Sequence, residues 1–259
     1  MIRRDAMIGY NRTVKLRWLD ETLDLFLVGQ SPTEIIKTLR ERLHDQLSVG
    51  SDPKRGSREK TITILIRTWV RVPARVRALR DDALELLHHI PRTERLPLHW
   101  GMTMAVYPFW RAVGDVTGRL FRLQSTAGAQ QVQRRVRELF GEREAVSRST
   151  RYVLRAFKDW GAITDDERKG HYIPTKPIPI DDPRLATWLV EATLLASDAS
   201  SGDFRVLTNS PALFPFQLTP LSLDSLARTS RLTVIRHGMQ DALLQLRQTG
   251  PAARAHQHD

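Results

Sequence analysis

Between Gln130 and Pro174 the chain reads QQVQRRVRELFGEREAVSRSTRYVLRAFKDWGAITDDERKGHYIP, and the spacing of its apolar residues leaves few ways to fold. Val132, Val136 and Leu139–Phe140 recur at helical spacing, which turns Arg134, Arg135 and Arg137 largely outward. Gly141 stands where a helix C-terminus favours a residue that tolerates positive φ. Ser147 or Ser149 then offers an N-cap for a second helix, which buries Val153, Leu154, Phe157 and Trp160. Arg148, Arg151, Arg155 and Lys158 fall mostly on its other faces. Gly161 ends that helix. The charged run Asp165–Gly170 reads as the tip of a two-stranded wing, with Tyr172 and Ile173 on the return strand.

Helix, tight turn, helix and wing is the order of parts in a winged helix-turn-helix. In that motif the second helix enters the major groove N-terminus first, so short polar and Arg side chains belong at its start. Ser147, Arg148, Ser149, Thr150 and Arg151 supply them, and Arg155 continues the same flank. Arg reads guanine or clamps phosphate, and hydroxyls bond phosphates or base edges. The wing offers Arg168, Lys169 and His171 to the adjacent backbone, and Arg134 is a further candidate contact on the first helix. From Gln130 to Lys158 there are eight Arg or Lys against three Glu. The same pattern also fits a helical hairpin with a solvated basic face, and winged helices serve as protein-docking modules too.

Charge supports a polyanion partner. The net charge of +11 is uneven: residues 1–80 carry 17 basic and 9 acidic side chains, residues 81–174 carry 15 and 12, and residues 175–259 carry 8 and 8. With no Cys there is neither a disulfide framework nor a thiolate metal site, which suits a cytoplasmic location. Trp100–Trp110 is uncharged but too short to span a bilayer, and Pro108 interrupts it. Arg3 and Arg4 are followed by no apolar run, so no signal peptide is expected.

Residues 13–47 read as two helices, the second opened by the capping box Ser31-Pro32-Thr33-Glu34. Val49–Ser57 reads as a loop. Beyond it Ile62, Leu65–Ile66, Trp69 and Val70 repeat at helical spacing, although the β-branched Thr61–Ile66 leaves a strand as the alternative. Charge is densest here, with nine Arg or Lys and one Glu between Pro53 and Arg80. A loop carrying Lys54 and Arg55, then a Ser-capped helix bearing Arg58, Lys60 and Arg67, forms a candidate second helix-turn-helix; a solvated helix face is the alternative. Residues 81–95 read as a short acidic helix ended by Pro91. In residues 99–124, Pro108 restarts the helix after Tyr107. Trp100, Met104, Phe109, Val113, Val116, Leu120 and Phe121 mark the central core.

Taken together, SREKTITILIRTWV, the Tyr107-Pro108-Phe109 step in YPFWRAV, and RYVLRAFKDWGAI follow two N-terminal helices in an order that resembles the BrxA family. These are small DNA-binding components of the BREX phage-defence systems of bacteria. The resemblance covers roughly residues 12–178. It implies double-stranded DNA and other proteins of a defence complex as partners, and no catalysis. The last third extends beyond the usual length of that family, which implies a divergent relative.

That last third is electrically neutral and rich in Leu and Phe, which suits protein contact. Leu185–Leu195 reads as a helix, Ser197–Asp203 as a break, and Phe204–Leu218 as an extended, Pro-punctuated segment. Asp224–Leu226 and Met239–Leu246 read as helical, Leu232–Arg236 as a strand, and the HQHD tail as disordered. Ile235-Arg236-His237-Gly238 resembles a phosphohistidine motif, but only 21 residues follow it. The adjacent His88–His89 are not an i,i+4 metal pair, and neither metal nor cofactor is expected. The sequence thus predicts a mainly α protein with a winged helix-turn-helix and a small α+β extension. Its units are a helical domain (1–95), a central helix with the winged element (96–178) and the extension (179–259). Function is expected to be non-catalytic double-stranded DNA binding in a BREX-like system. The alternatives are a scaffold that docks protein through the winged helix, or a regulator of its own operon.

Overall fold

The computed structural model describes residues 8–48, 56–197, 199–227, 231–236 and 241–247. Two helices open it, α1 (Leu16–Leu27) and α2 (Pro32–Arg42). The capping box on α2 forms in full: the Glu34 amide donates to the Ser31 hydroxyl (3.3 Å) and the Ser31 amide donates to the Glu34 carboxylate (2.7 Å).

Thr61–Ile66 lies in α3 (Ser57–Trp69), so the helical spacing outweighs its β-branched content. Its N-cap is Gly56 rather than Ser57, whose side chain makes no capping bond. Thr61, Ile62, Ile64, Leu65, Ile66, Thr68 and Trp69 are all buried, and α3 packs among α1, α2 and α5 (Leu96–Val106) when α4 (Arg77–Leu86) is passed over. On the remaining face Thr63 and Arg67 are exposed, and Arg58, Glu59 and Lys60 are half-buried. α4 begins before the expected Asp81 and stops at Leu86, because its apolar stripe (Leu79, Ala83, Leu86) ends there, short of Pro91.

Every residue of α5 is buried. Pro108 breaks it from α6 (Pro108–Gln124), with Tyr107 between them in a non-helical conformation (φ −124°, ψ 89°). Trp100 of α5 is the centre of an aromatic cluster with Trp110, Phe157, Trp160, Phe214 and Phe216. Its indole donates to the Ala212 carbonyl (3.0 Å). The core residues expected from residues 99–124 are all buried.

After α6 come β1 (Ala127–Gly128), α7 (Ala129–Phe140), α8 (Glu144–Asp159), β2 (Ile163–Asp165) and β3 (His171–Pro174). The strands form one antiparallel sheet in the order β1-β3-β2, with Ala127 opposite Tyr172 and Thr164 opposite Ile173. β1 is too short to leave a sequence signal.

The last third departs furthest from expectation. It contains β4 (Ile178–Ile180), α9 (Pro183–Ala196), β5 (Ser201–Asp203), α10 (Phe204–Thr208), β6 (Phe216–Leu218), α11 (Leu223–Ala227), β7 (Leu232–Arg236) and β8 (Ala242–Leu246). The segment expected to be extended from Phe204 starts with α10, which Asp203 caps through the Val206 amide (2.9 Å). Of the expected helix over Met239–Leu246, Met239 and Gln240 lie outside the described residues, and Ala242–Leu246 is instead strand β8, paired between β5 and β7. Ala242 and Leu244 point inward at the two-residue period of a strand, and sheet context overrides the helix propensity of Leu.

Nor is this third an appendage. Trp188 of α9 packs against Gly101, where a Cβ would come within 2.3 Å of the indole, and β4 pairs in parallel with β6. Residues up to Phe216 share the main core; a smaller core of Val190, Leu194, Leu207, Leu226, Leu232 and Leu244 lies beyond it. The expected boundary near residue 179 is therefore not a packing boundary. The HQHD tail lies outside the described residues.

Candidate nucleic-acid interface

α7 buries Val132, Val136 and Phe140 and ends at Gly141, whose φ of +92° is open to glycine and strained for other residues. α8 starts earlier than the Ser residues suggest, at Glu144 with Arg143 as N-cap, and no side chain caps it. Ser147 and Ser149 are interior helical positions, so neither is the cap.

This shift of start decides which side chains face outward. Val146, Ser149, Thr150, Val153, Leu154, Ala156 and Phe157 form the buried face of α8. The Thr150 hydroxyl donates to the Val146 carbonyl (2.9 Å), closing on its own helix. Ser149 and Thr150, expected as DNA contacts, are thus corrected: both are buried against the core. Arg148, Arg151 and Arg155 are exposed on the opposite face, as expected. Arg148 and Arg151 both reach the carboxylate of Glu144, at 3.5 and 3.7 Å. Among the described residues Arg155 has no ion-pair partner.

Three anchors hold α8 in place. The Trp160 indole donates to the Val14 carbonyl (2.9 Å), the Asp159 carboxylate accepts from the Leu16 amide (2.9 Å), and Lys158 bonds Asp165 at the tip end of β2. The hairpin tip carries Arg168 and Lys169, both exposed. Its Gly170 has a φ of +76°, which lets the chain reverse into β3. His171 is half-buried at the start of that strand.

The other expected basic residues are more dispersed. Arg134 is exposed on α7 and lies 4.0 Å from Glu138. Arg58 and Lys60 are half-buried at the start of α3, where Glu59 is already bound bidentately by Arg40 (3.0 Å to each oxygen). Lys54 and Arg55 lie outside the described residues. One feature carries no sequence signal at all: the guanidinium of Arg12 lies over the ring of Tyr152 on α8, 5.7 Å from its centroid.

A cleft of about 520 Å³ lies between α4 and α9, lined by Glu85, His88, His89 and Trp188 among others. At its side Arg231 binds Glu191 bidentately (2.8 and 3.0 Å) and Asp82 (2.6 Å), so two of its carboxylates are already neutralised. Burial pushes the Glu191 carboxyl up, and Arg231 opposes that shift. Among the described residues no three His, Cys, Asp or Glu side chains are placed to hold a metal ion. Arg236 ends β7, and His237-Gly238 lie outside the described residues. No helix among the described residues is long and apolar enough to cross a membrane. Comparison with models of known protein families, with curated proteins and with solved structures finds no match.

Proposed function

We propose that the chain is a non-catalytic double-stranded DNA-binding protein, and that α6 to β3 form a winged helix-turn-helix with α8 as the recognition helix. The observation that carries this is the sheet order. β1 lies between α6 and α7 and pairs with β3, the return strand of the hairpin that follows α8, which makes β3 the central strand of the sheet. A helical hairpin with a merely solvated face has no need of that strand. With it, α8 is braced by a sheet on one side of the turn, and Arg148, Arg151 and Arg155 share its outward face. Arg168 and Lys169 extend the positive surface at the hairpin tip.

The binding is largely independent of sequence. The outward face of α8 has Arg but none of the Asn or Gln that read adenine, and two of its three hydroxyls at the groove-entry positions, Ser149 and Thr150, are turned into the core, while Ser147 is half-buried. Through the resemblance of YPFWRAV and RYVLRAFKDWGAI to BrxA proteins, we place this activity in a BREX-like phage-defence complex. The test is a salt titration of binding to a random-sequence duplex and to the chain's own promoter DNA. With about four to eight phosphates neutralised, log affinity against log salt slopes by roughly −4 to −7 on both duplexes. Affinity that ignores salt contradicts the proposal and favours protein docking; a marked preference for the promoter favours an operon regulator.

A further inference from the structure

On the 3.6-residue period of α8, Ser147 and Lys158 fall on one flank, Tyr152 and Asp159 on the other, and Arg148, Arg151 and Arg155 between them. Lys158 bonds Asp165, so the hairpin lies along the first flank. The second flank is covered by the segment that leads into α1. Val14 accepts from the Trp160 indole and Leu16 donates to Asp159, each at 2.9 Å, while Arg12 lies over the Tyr152 ring. Two of these ties are buried or capped and fix the backbone; the third leaves a half-exposed guanidinium beside the Arg face.

We infer that residues 11–15 form a third DNA-contacting element, with Arg12 taking a backbone phosphate on the side of α8 opposite the hairpin. The inference rests on the proposed DNA-binding function. A guanidinium stacked on an aromatic ring is pre-oriented and keeps N–H donors free at its edge, so binding a phosphate orders it little further. Among the described residues its side chain donates to the neighbouring Asn11 carbonyl (2.6 Å) and pairs with no carboxylate. Lys15 differs. Its ammonium lies over Trp18, 5.5 Å from the centroid, and it lines a depression that also holds Asp20 and Asp159. The Leu16 amide at the start of α1 is already bound to Asp159, so that helix end is closed to phosphate.

The experiment is a salt titration of binding to a short random-sequence duplex for wild type, Arg12→Gln, Arg12→Lys and the reference double variant R148A/R151A, each with its melting temperature. Arg12→Gln is expected to weaken binding roughly threefold to tenfold and to flatten the salt slope by about one, with an unchanged melting temperature. Arg12→Lys keeps the slope. If Arg12→Gln matches wild type while R148A/R151A loses affinity, the inference is overturned and the DNA-binding function stands. Equal losses in Arg12→Lys and Arg12→Gln also overturn it, because the contact is then not a charge contact. If neither Arg12→Gln nor R148A/R151A changes binding, the DNA-binding surface on α8 itself is refuted.

Discussion

Arg148 and Arg151 converge on one carboxylate, Glu144, in the first turn of α8. A carboxylate there suits the helix dipole but faces the phosphates of any DNA that docks on this surface. The pairs are well exposed and individually weak, so under the proposed function a DNA backbone competes for both guanidinium groups. Glu144→Gln is therefore expected to tighten DNA binding by up to about tenfold in a low-salt titration; weaker binding would show that Glu144 orients the Arg side chains productively. A second residue-scale consequence lies in the core. Trp69 donates to His99 Nδ1 (3.0 Å), so the proton of His99 sits on Nε2, 2.9 Å from Asp20. Burial lowers the pKa of His99 below its ordinary 6.5, against the opposing pull of Asp20, while Arg95 lowers it and Asp24 raises it. The folded state thus binds fewer protons than the unfolded state, and this contribution is present above about pH 6.5 and lost as pH falls below it. The melting temperature should drop between about pH 7.5 and about pH 5.5, and the drop should shrink in His99→Gln; a flat profile would contradict the assignment.

At the scale of elements, close backbone approaches set the packing. A Cβ on Gly118 of α6 would meet the Pro211 carbonyl oxygen at 2.0 Å, and backbone cannot swing aside as a side chain does. Gly118→Ala should cost about 3 kcal/mol in denaturant unfolding; a cost near zero would mean that α6 and the Pro211–Leu213 turn are not in contact. Trp160→Ala removes a buried ring and its bond to Val14, and should cost about 3–5 kcal/mol. The helices were legible in the sequence wherever one apolar stripe met a cap or a proline, as at Ser31-Pro32 and Pro108. The start of α8 was not. Ser147 and Ser149 look like caps, yet Val146 must be buried, so the helix begins earlier and Thr150 turns inward. That single shift removed two expected contacts and left the Arg residues in place. β1 and the Arg12–Tyr152 contact rest on pairings distant in sequence, which no local pattern encodes. The Leu-rich β8 was misread because its period of two spans too few residues to outweigh Leu propensity.

For the whole molecule, α5 is enclosed by α6 and α8 on one part of its surface and by α9 and the residues after it on another, so the last third completes the core around Trp100. A chain truncated after residue 180 would expose Trp100, Gly101 and the face of α6 at Gly118. It should lose its near-ultraviolet circular dichroism and aggregate; a cooperatively melting fragment would restore the extension to the status of a separate unit. The unequal spread of charge has the same whole-molecule meaning: the neutral last third builds core, and the basic first two-thirds supply the surface on which α8 sits. The most direct test of that surface is the salt dependence of duplex binding in R148A/R151A beside wild type, at matched melting temperature. A fall in affinity, with a slope flatter by about two, is the expected result. Wild-type affinity and slope in a folded R148A/R151A protein would contradict the account.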